Sequence, residues 1–313
     1  MNSNTWVYDI ETLKSAFTYV AKNVDNEELV EFVIHKDRND ITAFVEHLKS
    51  CKGQIGFNNV NFDYPIIHNI LCNYKNLSSA EEIIEKIYEK AQQLIQLQDN
   101  YDAFYSTVAI KRKDWIIPQL DLYKMWHYNN AARRTSLKAL EISMNFPNVM
   151  ESKVSHTKED ITLEEVEDIL IYNRNDVLAT FEFYKKSREK IDLRKSLTKK
   201  FNIPCINYPD TKIGEELILK LYTEKINQDN PEFYTSEWDI KKLRTHRSSI
   251  DLNECILPNI QFKSKQFSDL LNKLKSKVIK ETKNAFAESV IYKGFKYDYG
   301  TGKHHLNNCP LVA

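Results

Sequence analysis

"TWVYDIET", residues 5–12, decides the fold. Its first six residues form a short, nearly continuous apolar run of β-type side chains, which reads as a central strand buried on both faces. Working outward, "AFTYVA" (16–21) and "ELVEFVIH" (28–35) have strand character, and "ITAFVEHL" (41–48) has a helical period. "QIGF" (54–57) is a second buried strand, and "YPIIHNILCNY" (64–74) starts a helix near Pro65. Strands followed by alternating helices predict an α/β fold, a mixed β-sheet flanked by helices.

Ser79-Ala80-Glu81-Glu82 is a capping box that predicts a helix to about residue 98, and Thr162 to Glu165 is another. The second opens a long helix, ending near residue 190, whose stripe is Leu163, Val166, Leu170, Val177, Phe181 and Tyr184. Between them, "PQLDLYKMW" (118–126) reads as a strand leading into a helix and "TSLKALEISM" (135–144) as a helix. The expected division is a first domain over 1–195 and a less self-sufficient, mainly helical region over 196–313. In that region "PCINYPDTKIG" (204–214) carries loop chemistry. Helices are expected near 215–226 and 265–283, the second with Lys265, Lys273, Lys277 and Lys280 outside an apolar stripe.

The chain of 313 residues is 42% hydrophobic with only six glycines, enough for a large core and free of low-complexity sequence. Lys and Arg balance Asp and Glu at 44 each, yet residues 196–313 carry 19 basic against 14 acidic side chains. A basic tail beside an acidic body suits a protein that holds a polyanion with one part and metal cations with another. The five cysteines are scattered without a C-x-x-C pair, which favours reduced thiols and excludes a zinc finger. No apolar run approaches the roughly 18 residues of a membrane span, and the start leads directly into the first strand without a leader. A soluble protein of the cytoplasm, or of the host cytoplasm if viral, is therefore expected.

Asp9 and Glu11 are two apart in the strand, so both side chains share one face. The other D-x-E, Asp25-Asn26-Glu27, lies in a polar loop. "GFNNVNFDYPII" (56–67) sets Asn58, Phe62 and Asp63 where a strand runs into a helix. Tyr172 and Asp176, four apart on the long helix, stack on one face beside its apolar stripe.

Together, Asp9/Glu11, Asn58…Phe62-Asp63 and Tyr172…Asp176 reproduce, in order, the D-x-E, N-x-x-x-F-D and Y-x-x-x-D motifs of a known catalytic set. Residues 5 to about 190 resemble the proofreading 3′–5′ exonuclease domain of bacteriophage-type family B DNA polymerases. That domain belongs to the tyrosine subclass of the ribonuclease H-like exonucleases; the histidine subclass would need a histidine where Ile171 stands. The resemblance implies a ribonuclease H-like sheet and a 3′–5′ exonuclease that releases nucleoside monophosphates from DNA 3′ ends. It also implies two divalent cations, Mg²⁺ or Mn²⁺, held by Asp9, Glu11, Asp63 and Asp176. Asp9 would bridge the two, Glu11 and Asp176 would hold the nucleophile-side ion and Asp63 the other. Tyr172 would orient the attacking water, while Asn58 and Phe62 would contact the terminal nucleotides. The chemistry suits those residue types, because hard cations prefer oxygen ligands and a metal pair stabilises both the attacking and the leaving oxygen.

The expected partners are a single-stranded or frayed DNA 3′ end and either a separate polymerase subunit or the missing polymerase half. Neither D-x-x-S-L-Y-P nor D-T-D-S occurs, so the chain alone is not expected to synthesise DNA. "YDYGTGKHHL" (297–306) is similar in part to the Gly-rich segment that links exonuclease and polymerase domains, with Lys303 where a second adjacent glycine is usual. Some protein-primed polymerases add a catalytic lysine between the second and third motifs, for which Lys153 is only a loose candidate. The alternatives are a tyrosine-type RNA exonuclease and a non-catalytic module that docks on a polymerase or holds single-stranded DNA.

Overall fold

The computed structural model describes residues 4–73, 79–130, 134–229, 247–280 and 287–300. The chain forms two compact units, Met1–Gln228 and Asp229–Ala313. The first is α/β, built on a mixed six-stranded sheet. Its strands are β1 (Thr5–Thr12), β2 (Ala16–Asn23), β3 (Leu29–His35), β4 (Arg38–Asn39), β5 (Gly53–Gly56) and β6 (Gln119–Asp121). Their order is β4-β3-β2-β1-β5-β6; β1 to β4 run antiparallel, while β5 lies parallel to β1 and β6 parallel to β5.

Helices cover both faces: α1 (Ile41–Ser50), α2 (Asp63–Asn73), α3 (Ala80–Leu97), α4 (Tyr101–Thr107), α5 (Leu122–Met125), α6 (Leu137–Ser143), α7 (Leu163–Lys186), α8 (Arg188–Phe201) and α9 (Asp210–Asp229). The alternation of β1 decides which residues meet which layer. Trp6, Tyr8 and Ile10 enter one core with Phe44 of α1, Ile66 of α2 and Ile84 of α3. Val7 enters the other with Val166, Leu170, Val177 and Phe181 of α7. Asp9 and Glu11 share the parity of Val7 and so project toward α7. Both capping boxes begin helices as expected: the Ser79 side chain accepts from the Glu82 amide, and Thr162 and Glu165 cap each other reciprocally.

Three local expectations change. Leu163 is exposed rather than part of the α7 stripe, because it occupies the first turn, before the helix reaches the sheet. The long helix stops at Lys186, where Ser187 turns the chain into α8. The loop expected over 204–214 gives way to helix α9 from Asp210.

The first unit also extends beyond 195, for an identifiable reason. Asn207 donates to the Gln119 carbonyl (3.1 Å) and accepts from the Asp121 amide (2.9 Å), covering the open edge of β6. Fully buried Arg194 donates to the carbonyls of Tyr208, Lys190 and Met125 and pairs with Asp210 at 2.6 Å.

The described part of the second unit is as much strand as helix, while the described residues of 196–313 taken together are mainly helical, as expected, through the end of α8 and α9. It contains β7 (Ile250–Asp251) paired with β8 (Val278–Ile279), helices α10 (Leu252–Cys255) and α11 (Lys265–Lys275), and the hairpin β9 (Ala287–Tyr292)–β10 (Phe295–Gly300). The two-residue turn Lys293-Gly294 has positive φ at both positions (49° and 80°), the backbone that suits the twist of a tight hairpin. Lys277 and Lys280 fall beyond the end of α11. Gly302, Lys303 and the two adjacent histidines of the Gly-rich segment lie outside the described residues.

Candidate metal centre

Two segments far apart in sequence, β1 and α7, meet at one point. Carboxylate oxygens of Asp9, Glu11 and Asp176 lie within 4.8 Å of one another. Asp9 and Glu11 are partly buried on β1, and Asp176 is buried on α7. Helix α7 is held on the sheet by its apolar stripe and by Arg174, whose guanidinium grips both carboxylate oxygens of Glu31 on β3 (Nη2 to Oε2, 2.9 Å). Asn173, fully buried on the same helix, donates from Nδ2 to Asp9 Oδ2 at 3.3 Å.

Asp63, the first residue of α2, is buried outside that trio of oxygens, yet its charge raises the pKa of both Asp9 and Glu11. Its own backbone amide and that of Ile10 donate to it. Tyr172 is half-buried one turn before Asp176 and close enough to hydrogen-bond with its carboxylate. Four of the five expected chemical groups therefore gather directly, and Asp63 acts on them through its field.

The electrostatics are those of a site short of positive charge. Burial foremost, then the charges of Asp63, Glu11 and Asp176, hold Asp9 well above the usual carboxylate range. Glu11 is pushed up to about 8, first by burial and then by Asp176 and Asp63. Burial lifts Asp63 to about 7. Asp176 is also raised by burial, against the opposing pull of Lys138. The Tyr172 hydroxyl is pushed far up by burial and by Asp176 and Glu11, so it stays protonated.

Among the described residues Lys138 is the cation beside the acids. Its Nζ lies 2.7 Å from Asp176 Oδ1, 3.5 Å from Glu141 Oε1 and 4.6 Å above the centre of the Tyr172 ring. The sequence alone assigns it no role beyond a place in the helix expected over "TSLKALEISM". The available signal was local: Ser136 caps α6 and so places Lys138 in its first turn. Lys153, the loose candidate, is instead an exposed surface lysine 3.2 Å from Asp168.

A second unforeseen residue is Asp121, fully buried at the end of β6. Its carboxylate accepts from the amides of Asn58 (3.1 Å), Val60 (3.2 Å), Tyr123 (3.0 Å) and Lys124 (3.2 Å). It caps α5 and at the same time clamps the 57–62 loop. That loop also needs Gly56, since a Cβ there would meet the Asn59 Cβ at 2.6 Å. An Asp that ends a parallel strand and begins a helix is a recognisable cap, and it stands at the strand end where α/β proteins place their sites.

The clamped loop lines a cleft of about 250 Å³ through Asn58, Asn61 and Phe62, opposite Tyr105, Tyr123 and Arg134. Asn58 has the left-handed backbone (φ 65°) that asparagine tolerates better than most residues. Phe62 packs partly against the α1–α3 core, so it is both a core-edge residue and a cleft wall.

Three clustered carboxylates facing one ammonium form a donor set that could bind a metal ion, since hard cations take oxygen ligands. Comparison with protein-family models, curated proteins and solved structures gives no match. Among the described residues no helix is long and apolar enough to cross a membrane.

Proposed function

We propose that this chain is a metal-dependent 3′–5′ exonuclease acting on DNA, with a ribonuclease H-like fold and a tyrosine-type site related to the proofreading domains of phage family B polymerases. The observation that carries the proposal is the meeting of Asp9, Glu11 and Asp176 within 4.8 Å beside Tyr172. These are the residues that two motifs 161 positions apart, from Glu11 to Tyr172, single out. Bound divalent cations, Mg²⁺ or Mn²⁺, would supply charge neutralisation and a hydroxide nucleophile near neutral pH.

The protein's own groups have distinct parts. Asp9, Glu11 and Asp176 would hold the cations, with Asp63 adding a fourth negative charge. Tyr172, kept protonated, would donate a hydrogen bond that orients the attacking water. Lys138 would offset charge on the side of Asp176. A terminal nucleotide would enter the Asn58–Phe62 cleft, where an aromatic face can stack on any base. The end must unstack to reach it, which favours frayed or mismatched termini over paired ones.

The test is digestion of a 3′-labelled oligonucleotide with Mg²⁺ or Mn²⁺, with EDTA and Asp9→Ala/Glu11→Ala as controls. Stepwise release of mononucleotides that both controls abolish is expected. No release from a single-stranded 3′ end would defeat the proposal and favour a binding module. Much faster release from RNA of the same sequence would make the substrate RNA.

A further inference from the structure

A cleft of the first unit, about 680 Å³, lies at the other end of the sheet from the acids. Its wall includes Thr5, the first residue of β1, four strand residues or about 13 Å from Asp9. The starts of β5 and β6 form its floor, through Gln54 and Gln119 among others. The volume falls within the range of small-molecule sites.

The floor offers a ligand little hydrogen bonding. The Gln119 amide donates to Gln54 Oε1 and the Ile117 carbonyl, and its oxygen accepts from Tyr8 and Asn59; Gln54 donates to Tyr19. Polar recognition must therefore come from the rim, which carries Asp25 and, on two sides, four cations. Arg188, Lys195 and Lys199 are spaced by seven and four residues along α8, hence on one face of that helix. Arg112 faces the cleft from a 3₁₀ turn, Arg112–Asp114, and is braced by its bond to the Pro204 carbonyl at 2.6 Å.

Among the described residues Arg112, Arg188 and Lys199 have no carboxylate partner, and Lys195 reaches Asp192 only at 3.8 Å. Beside Arg112 stands half-buried Trp115, whose indole N–H is taken by the Ile110 carbonyl at 3.1 Å. What Trp115 can still offer a ligand is apolar ring. Cations on both walls, three of the four without a carboxylate partner among the described residues, and a ring with no free donor fit a phosphate joined to a flat heterocycle.

We infer that this cleft binds a nucleotide unit, with its phosphate between Arg112 and the α8 cations and its base against Trp115. The unit comes either free or as part of a single strand. The inference does not rest on the nuclease proposal, because it concerns other residues and is read without hydrolysis.

The full chain is titrated in EDTA with AMP, following tryptophan quenching, and with a fluorescein-labelled twelve-nucleotide deoxyadenylate, following anisotropy. Lys195→Glu/Lys199→Glu, both exposed, is expected to weaken binding at least tenfold. For the strand it should also flatten the dependence of log K on log salt by about 1.4, at roughly 0.7 per lysine. Lys36→Glu/Lys86→Glu, an equal change of charge elsewhere, should stay within twofold. Trp115→Phe should remove the quench by AMP with the circular dichroism unchanged. Loss for AMP assigns a free-nucleotide site, and loss for the strand alone assigns a strand-binding one; either supports the inference. No binding of either probe, equal loss in the two double variants, or equal competition by poly-glutamate would overturn it.

Discussion

Lys138 Nζ lies 2.7 Å from Asp176 Oδ1, within hydrogen-bond reach of a residue proposed to hold metal. The ammonium and an incoming cation therefore act on the same carboxylate. It also lowers the proton affinity of Asp9, Glu11 and Asp176, so it keeps part of the cluster ionised before any cation arrives.

Replacing Lys138 by Met removes a competing charge. At pH 9, above the value of about 8 for Glu11, Mn²⁺ should bind Lys138→Met several-fold more tightly than wild type in isothermal titration. Weaker binding at that pH would show that Lys138 supports the site in some other way.

Proton linkage gives a second expectation. Glu11, at about 8, and Asp63, at about 7, hold protons more tightly folded than in the unfolded chain, where carboxylates titrate near 4. Between about pH 4 and 8 the native state thus binds more protons, and stability without metal falls as pH rises. Melting in EDTA should drop by several degrees from pH 5 to pH 8, and saturating Mg²⁺ should restore most of it at pH 8. A melting point in EDTA that rises over this interval would contradict the pKa directions.

Asp121 gives a third. Asp121→Ala strips an acceptor from four backbone amides, two of them in the loop that lines the Asn58–Phe62 cleft. Hydrogen bonds to a charged group contribute about 1.5–3 kcal/mol each, and the freed amides recover part of this from water, so a net loss of about 3 kcal/mol is expected. Urea unfolding measures it, and Asp121→Asn, which keeps one oxygen, should lose about half as much.

At Gly56 the expectation is steric. Its added Cβ would sit 2.6 Å from Asn59 Cβ, and Asn59 is fixed by its bond to Gln119 at 2.8 Å. Gly56→Ala should cost about 1–3 kcal/mol by overpacking and raise KM for a single-stranded oligonucleotide more than it lowers kcat. Unchanged stability would mean that the loop gives way easily.

The parts of the fold legible in sequence were those with one dominant local signal. The apolar run of β1 and the reciprocal cap of Thr162 and Glu165 each declare an element without help from distant residues. Asp9, Glu11, Tyr172 and Asp176 were legible as a site because motif order stood in for geometry. Lys138 and Asp121 were not, since a lysine in a helix and an Asp at a strand end are ordinary until a partner 38 or 63 residues away is known. The stop at Ser187 was hidden because apolar residues continue into α8 at helical spacing. The β9–β10 hairpin escaped because Lys-Gly is a weaker turn signal than Asn-Gly or Asp-Gly.

The distance in sequence between Asp9 and Asp176 also matters while the protein is being made. The strand with the first two acids leaves the ribosome 167 residues ahead of the helix with the third. At 5–20 residues per second that is an interval of about 10–30 s. A nascent or prematurely terminated chain lacking α7 carries Asp9 and Glu11 without Asp176 or Tyr172. The proposed nuclease activity would on this account stay switched off until its last component has been translated.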